Sequence, residues 1–429
     1  MTEHTGAPYY ITAYELAVLG DVPREMLTSE NLIYNSPAAL DFNSPGAEGF
    51  GVKRAGLAIP GSIMLLISPA CCGRNTSALR GTENFGERFG YLLLDATDIV
   101  TGKHLSKIPE AVAAFVKSRA TAPTAVMLCI TCVDALLGTD MERVCQKAQA
   151  RVNLPVLPCY MYALTRESSH PPMTAVRKTV YSLLTKKKKR GTVVNLLGFF
   201  SPLAEESELF SLLESIGIRR VQQLGACQTY AEYEELAAAN FNLVLNPEAR
   251  EAAEFFRKEL KIPYIELTRL YQLDKIDRQY KSLAAVLSHS FPIPKQRDEA
   301  EAAAEGFLRH HTEEQIAVGS RINGNSFELA LSLTRYGVRV SEIYATPQTS
   351  DFPFIKKLGE LSPDIKIYTN ISPRMFYYEP VESNVTLAIG QDACYYHPTA
   401  HHVLWHGETQ PFGYQGVRDL FRAMKEAVK

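Results

Sequence analysis

Between residues 57 and 389 the chain keeps returning to one pattern, a short apolar run followed by an amphipathic stretch of helical period, and this alternation leaves few folds open. The runs at 62–67, 125–128 and 155–157 read as strands, as do those at 192–198, 219–224, 241–245 and 263–267, and later 315–318, 338–344, 365–368 and 385–389. Between them, 105–118, 140–151, 203–216, 230–239, 248–260, 274–290 and 295–311 carry apolar residues on one helical face. Strands that are apolar on both faces belong in sheets covered on both sides, which are the parallel ones. Strand, helix, strand in sequence then means right-handed crossovers. The expected fold is α/β, with three Rossmann-like, doubly wound, mostly parallel sheets. A chain of 429 residues is too long for one core. We divide it into an arm rich in turn formers (1–50), three α/β domains (51–190, 191–311, 312–395) and a closing segment that packs back on the core (396–429).

Composition narrows the function classes. A formal charge of -2, with 21% charged and 46% hydrophobic residues, gives no electrostatic footprint for nucleic acid or for an anionic membrane surface. No apolar run reaches the roughly 18 to 20 residues of a membrane span, and residues 1–10 lack the pattern of a signal peptide, so a cytoplasmic location is expected. The basic run 186–190 has no interleaved aromatics and sits between two apolar segments, which reads as a solvated linker. No Gly-x-x-x-x-Gly-Lys-Ser/Thr is present, so any ATP used by the activity binds to another protein.

The chemistry-bearing residues cluster. Cys71 and Cys72 follow the strand 62–67, and Cys129 and Cys132 follow or close the strand 125–128, so both pairs fall where α/β sheets bind ligands. In a reducing compartment, clustered thiols are ligands or redox groups rather than disulfides. Four thiols on one rim suit an iron–sulfur cluster or a zinc ion. Cys145, Cys159, Cys227 and Cys394 stand singly and read as buried thiols. In the third domain, the turn 319–325 resembles part of a dinucleotide fingerprint without its full glycine set, and Arg321 and Asn325 are its candidate cofactor-binding residues. Near the end, His397, His401, His402 and His406 lie within ten residues, beside Trp405, the only tryptophan. His401, His402 and His406 are the candidate catalytic residues, as proton donors near neutral pH.

Several stretches together resemble a known family. Pro-Ala-Cys-Cys72-Gly, Asp98-Ile-Val-Thr-Gly-Lys103, Thr131-Cys132 with Leu-Leu-Gly138-Thr-Asp140, and Pro411-Phe-Gly-Tyr-Gln-Gly416 are similar, in the same order, to signature stretches of the nitrogenase component 1 superfamily. That superfamily includes dark-operative protochlorophyllide reductase, nickel-sirohydrochlorin reductive cyclase and nitrogenase cofactor scaffolds. The resemblance implies an oxidoreductase subunit of three α/β domains, with a cluster held between two related subunits. It makes Cys72 and Cys132 the cluster ligands, with Cys71 and Cys129 as neighbours that substitute or supplement. No cysteine occurs in 44–49, where the family's further cluster ligand falls, so a 4Fe-4S cluster is expected rather than an eight-iron one. None occurs in 241–246 either, where the nitrogenase active-site cofactor is held, so dinitrogen is not the expected substrate. A further metallocofactor or a tetrapyrrole substrate is compatible with the family. The implied partners are a related component 1 subunit, as homo- or hetero-oligomer, and an ATP-dependent iron–sulfur reductase. The implied function is a nitrogenase-like reductase component, with a scaffold for metallocofactor assembly as the alternative.

Overall fold

The computed structural model describes residues 10–27, 51–69, 86–161, 172–372, 374–375, 378–379 and 383–429. Its first strand, β1 (Tyr10–Thr12), is followed by β2 (Ile63–Ser68), β3 (Phe89–Leu93), β4 (Val126–Ile130) and β5 (Val156–Tyr160). The last four form one parallel sheet in the order β3-β2-β4-β5. Every residue of β2 and β4 is buried, as the unbroken apolar runs require. β6 (Arg190–Leu197), β7 (Arg220–Gln223), β8 (Ala239–Val244) and β9 (Tyr264–Glu266) make a second parallel sheet, ordered β7-β6-β8-β9. β10 (Gln315–Gly319), β11 (Arg339–Tyr344), β12 (Lys366–Tyr368), β13 (Leu387–Ile389) and β14 (His401–Val403) join β1 in a third, ordered β1-β12-β11-β10-β13-β14. All its pairs are parallel except β1 with β12.

The chain divides into two compact units. One contains the first and second sheets, which share a core that includes Leu66 and Met127 from the first and Val193 and Val244 from the second. The other contains the third sheet, the helix Glu208–Ser215 and the long helices Leu273–Val286, Lys295–Leu308 and Gly413–Ala427.

Besides β3, two strands were not foreseen from the sequence. β1 comes from the N-terminal arm and pairs Tyr10 with Tyr368, and β14 carries His401 and His402 within the segment assigned to pack back on the core. Both are three-residue edge strands, too short to show a period of two, and tertiary pairing decides them. The family-like stretch ending at Gly416 has a structural explanation. Gly413 adopts φ +63° at the start of the last helix, and a side chain there would collide with the carboxylate of Glu208. That carboxylate accepts from Tyr414 N (2.7 Å), Gln415 N (3.1 Å) and the Tyr280 hydroxyl (2.7 Å), which satisfies the free amides of the helix start.

Candidate functional site

In an open α/β sheet the ligand crevice lies at the carboxyl ends of the strands, where the chain's connections change direction. The three sheets place such points between β2 and β4, between β6 and β8, and between β10 and β13. What fills each one distinguishes them.

Between β6 and β8 the backbone itself closes the gap. Gly198 takes φ +124°, and a Cβ there would come 2.7 Å from Asn246 N. The buried guanidinium of Arg177 donates to Gly198 O (3.1 Å) and pairs with Glu248 (2.7 Å).

Between β10 and β13 the turn after Gly319 has the form of an anion cradle, and the chain supplies the anion. The fully buried Asp392 accepts from Ser320 N (2.8 Å), Ser320 Oγ (2.7 Å), Arg321 N (3.1 Å) and Asn370 Nδ2 (2.9 Å). A Cβ on Gly319 would overlap that carboxylate, so the glycine serves Asp392 rather than a pyrophosphate. Asn325 caps the helix Ser326–Arg335 by accepting from Phe327 N and Glu328 N, and donates to Asp351. The dinucleotide-like spacing of this turn therefore encodes an internal carboxylate site and a helix cap.

Between β2 and β4 the situation is the reverse. Ser68 closes β2, Thr131 follows β4, Asp134 lies in the helix Cys132–Leu137, and His104 opens the helix His104–Lys117. All four are at least nine-tenths buried. Among the described residues, Ser68 Oγ, Thr131 Oγ1 and His104 Nε2 find no hydrogen-bond partner. His104 Nε2 stands 3.9 Å from Asp134, beyond bonding distance, while its Nδ1 lies 3.2 Å from Asp98 O. Burial raises the Asp134 pKa, and the nearby imidazole and a hydrogen bond from the Thr139 side chain oppose it. Buried polar atoms left unsatisfied cost about 1–3 kcal/mol each, so a group of them in one crevice marks a place completed by something else. The Asp98-to-Lys103 stretch supports this rim: Asp98 and Asp95 form a reciprocal helix cap, and Asp98 pairs with Lys107.

The candidate cysteines divide accordingly. Cys71 and Cys72 lie outside the described residues. Cys132 begins the helix that leaves β4 at the first crevice. Cys129 sits inside β4, opposite Cys159 of β5, with its side chain in the shared core. Burial pushes its thiol up to about 12, with Lys53 opposing, as for a thiol packed in a core. Cys145, Cys159 and Cys394 are buried and Cys227 is half-buried, as expected of single thiols.

Of the histidines, His401, His402 and His406 are exposed. His402 Nε2 donates to His397 O (2.8 Å), and His397 is buried beside Glu342. The loop carrying His406 meets the turn carrying Arg321: Asn323 N donates to Trp405 O (2.7 Å) and Asn323 Nδ2 to Gly407 O (2.8 Å). Trp405 holds φ +46°, a costly conformation for a bulky residue, and its indole donates to Tyr271 (2.8 Å). The structure thus brings these two sequence-predicted regions together.

Sequence reasoning missed Ser68, His104 and Asp134. The available signal was Asp134, an acid inside the apolar run Val133 to Leu137. Around the same rim, Leu93, Val100 (85% exposed), Leu136 (76% exposed) and Leu137 present large apolar side chains to solvent.

Comparisons with known proteins agree with one another. A family model described as nitrogenase component 1 type oxidoreductase matches residues 48–429. Curated relatives include the nitrogenase iron-molybdenum cofactor biosynthesis protein NifE of Nostoc sp., 24% identical over 255 residues that make up 55% of this chain and 52% of that protein. NifE of Klebsiella pneumoniae is 25% identical over 283 residues, 59% of this chain and 61% of that protein. The chain spans about half the length of the curated relatives it matches. In fold it is similar to nitrogenase Cp1 solved at pH 6.5, with a TM-score of 0.68, 16% identity and 95% of each chain covered. No helix among the described residues is long and apolar enough to cross a membrane.

Proposed function

Because the chain belongs to the nitrogenase component 1 type oxidoreductases, we propose that it is one subunit of a nitrogenase-like reductase component in which Cys72 and Cys132 hold a 4Fe-4S cluster jointly with a related subunit. Bound there, such a cluster supplies one-electron storage and relay from an ATP-dependent iron–sulfur reductase to a substrate other than dinitrogen. The observation that carries this reading is the first crevice, where Ser68 Oγ, Thr131 Oγ1 and His104 Nε2 lie buried at the strand ends without a hydrogen-bond partner among the described residues. Ser68, Thr131 and the His104 and Asp134 pair line it, suited to orient a bound group and its ligands. Cys129, as a core thiol, supports β4 from behind.

Anaerobically purified protein is expected to contain iron and acid-labile sulfide and to show broad visible absorption. Cys72→Ser or Cys132→Ser should lose most of that absorption, whereas Cys129→Ala should keep it. Stoichiometric zinc without iron would refute the assignment. The exposed apolar rim at Leu93, Val100, Leu136 and Leu137 supports a subunit partner at this edge. Sedimentation should therefore show a dimer or larger assembly, and a cluster-loaded monomer would contradict it.

On the substrate side, His401, His402 and His406 remain the proposed proton donors, with Arg321 beside their loop as a substrate contact. Each histidine replaced by Ala should leave the cluster spectrum unchanged, with at least one lowering turnover tenfold or more. Unchanged turnover in all three would remove this loop from the site.

A second reading, a scaffold for metallocofactor assembly, is favoured by the names of the curated relatives given above, which are cofactor biosynthesis proteins. The two separate on one measurement. A reductase releases reduced product repeatedly when given the ATP-dependent reductase, while a scaffold gives up a bound metal cluster once to an acceptor protein.

A further inference from the structure

The third sheet contains a buried phenol network that nothing in the proposed function uses. Tyr344, at the end of β11, has no exposed surface, and its hydroxyl donates to Glu342 Oε2 (2.7 Å). The same hydroxyl lies 3.0 Å from His397 Nε2 and 3.1 Å from the Tyr378 hydroxyl, and His397 Nε2 is 3.0 Å from Glu342 Oε2. Burial disfavours a charged Glu342, but the bonds from His397 and Tyr344 outweigh it and hold its pKa below the usual value. Glu342 is therefore an ionised base in direct contact with a buried phenol.

The ring of Tyr344 is also the centre of a stack. It lies 4.8 Å from Tyr368 on one side and 4.8 Å from Tyr396 on the other, at interplanar angles of 10° and 20°. Tyr368 contacts Tyr10 at 5.7 Å, and Tyr396 contacts Tyr395 at 5.4 Å. Tyr395 is 44% exposed. A continuous path of rings in contact thus runs from solvent to a phenol whose proton already has an acceptor. Packing alone would be satisfied by Phe at these positions, because stacked rings need no hydroxyl. A carboxylate buried against a phenol and an imidazole is a costly arrangement, whose groups need every bond they make.

We propose that Tyr344 is a redox-active tyrosine. A high-potential one-electron metal complex in solution, of the ruthenium(III) polypyridyl class, takes one electron through Tyr395 and Tyr396 and is itself reduced to the divalent state. Tyr344 supplies that electron and loses its hydroxyl proton to Glu342 Oε2, leaving a neutral phenoxyl radical; no other bond forms or breaks. A one-electron donor such as a thiolate returns the electron by the same path, and the proton returns from Glu342.

The test uses the full chain without metal, with photogenerated ruthenium(III) tris-bipyridine as oxidant and electron paramagnetic resonance as readout. Wild type should give a tyrosyl signal, and Tyr344→Phe should lower its yield at least tenfold. Glu342→Gln keeps an acceptor oxygen but removes the base, and should shorten the radical lifetime at least tenfold. Tyr395→Phe, at an exposed position, should slow formation while leaving the spectrum unchanged. No signal in wild type, or one of equal yield and lifetime in both Tyr344→Phe and Glu342→Gln, overturns the proposal. Should Tyr344→Phe fail to fold, a fluorinated tyrosine at 344 must change the hyperfine pattern, and an unchanged pattern overturns it equally.

Discussion

Replacing Asp392 with Ala is expected to destabilise the unit built on the third sheet by on the order of 4 kcal/mol, among the largest single-residue effects available in this chain. The carboxylate receives two backbone amides, a hydroxyl and a side-chain amide, and its removal leaves the amides of Ser320 and Arg321 without their acceptor. It also frees the helix Gln391–Tyr396, which leads to His397 and to β14. Urea unfolding followed by the fluorescence of Trp405 reads this unit, since the chain has one tryptophan and it lies there. Formate or acetate at millimolar concentration should restore part of the loss in Asp392→Ala and nothing in wild type, because the cradle is then vacant. Asp392→Asn should also destabilise, since its NH2 would face donors. An Asp392→Ala variant as stable as wild type would mean that the turn does not depend on its internal anion.

This cradle shows how far the sequence could be read. The alternation of apolar runs and helical stretches is a local property, and it placed β2, β4, β6, β8, β10 and β11 close to where they lie. The glycine turn after β10 was equally visible. What occupies it comes from more than seventy residues downstream, and no local pattern ties Asp392 to Ser320. The same holds at the first crevice. Cys132 and the end of β4 were legible, but His104 reaches Asp134 only because two crossovers return to the same edge of one sheet. Cys129 illustrates the opposite error: its spacing from Cys132 suggested a ligand pair, yet a residue inside a fully buried strand points into the core. The faces of β4 alternate, and Cys129 shares with Met127 the one that packs into the core common to the first two sheets.

The remaining large effect concerns Glu328, and it depends on pH. Glu328 lies in the first turn of the helix Ser326–Arg335, almost wholly buried, and Oε1 accepts from Tyr271 N (3.2 Å) and Ser332 Oγ (2.9 Å). Oε2 has no partner among the described residues. Burial raises its pKa from 4.5 to about 7, against the opposing influence of those two bonds and of Lys275 and Arg335. The folded protein therefore binds this proton more tightly than the unfolded chain does. Its contribution is most favourable below about pH 4.5 and is lost as the pH rises towards 7, because folding then requires either an extra proton or a buried charge. A displacement of this size corresponds to about 3 kcal/mol, developed between those two limits and constant above them. Glu328→Gln cannot ionise and keeps an acceptor for Tyr271 and Ser332, so it should lack this loss. All other titrating groups are common to the two proteins and cancel in the difference. The stability of wild type relative to Glu328→Gln should therefore fall by about 2.5 kcal/mol between pH 5 and pH 8, measured by urea unfolding at each pH. A difference that stays flat across that range would show that Glu328 is ionised in the folded state throughout, with Lys275 and Arg335 compensating its charge.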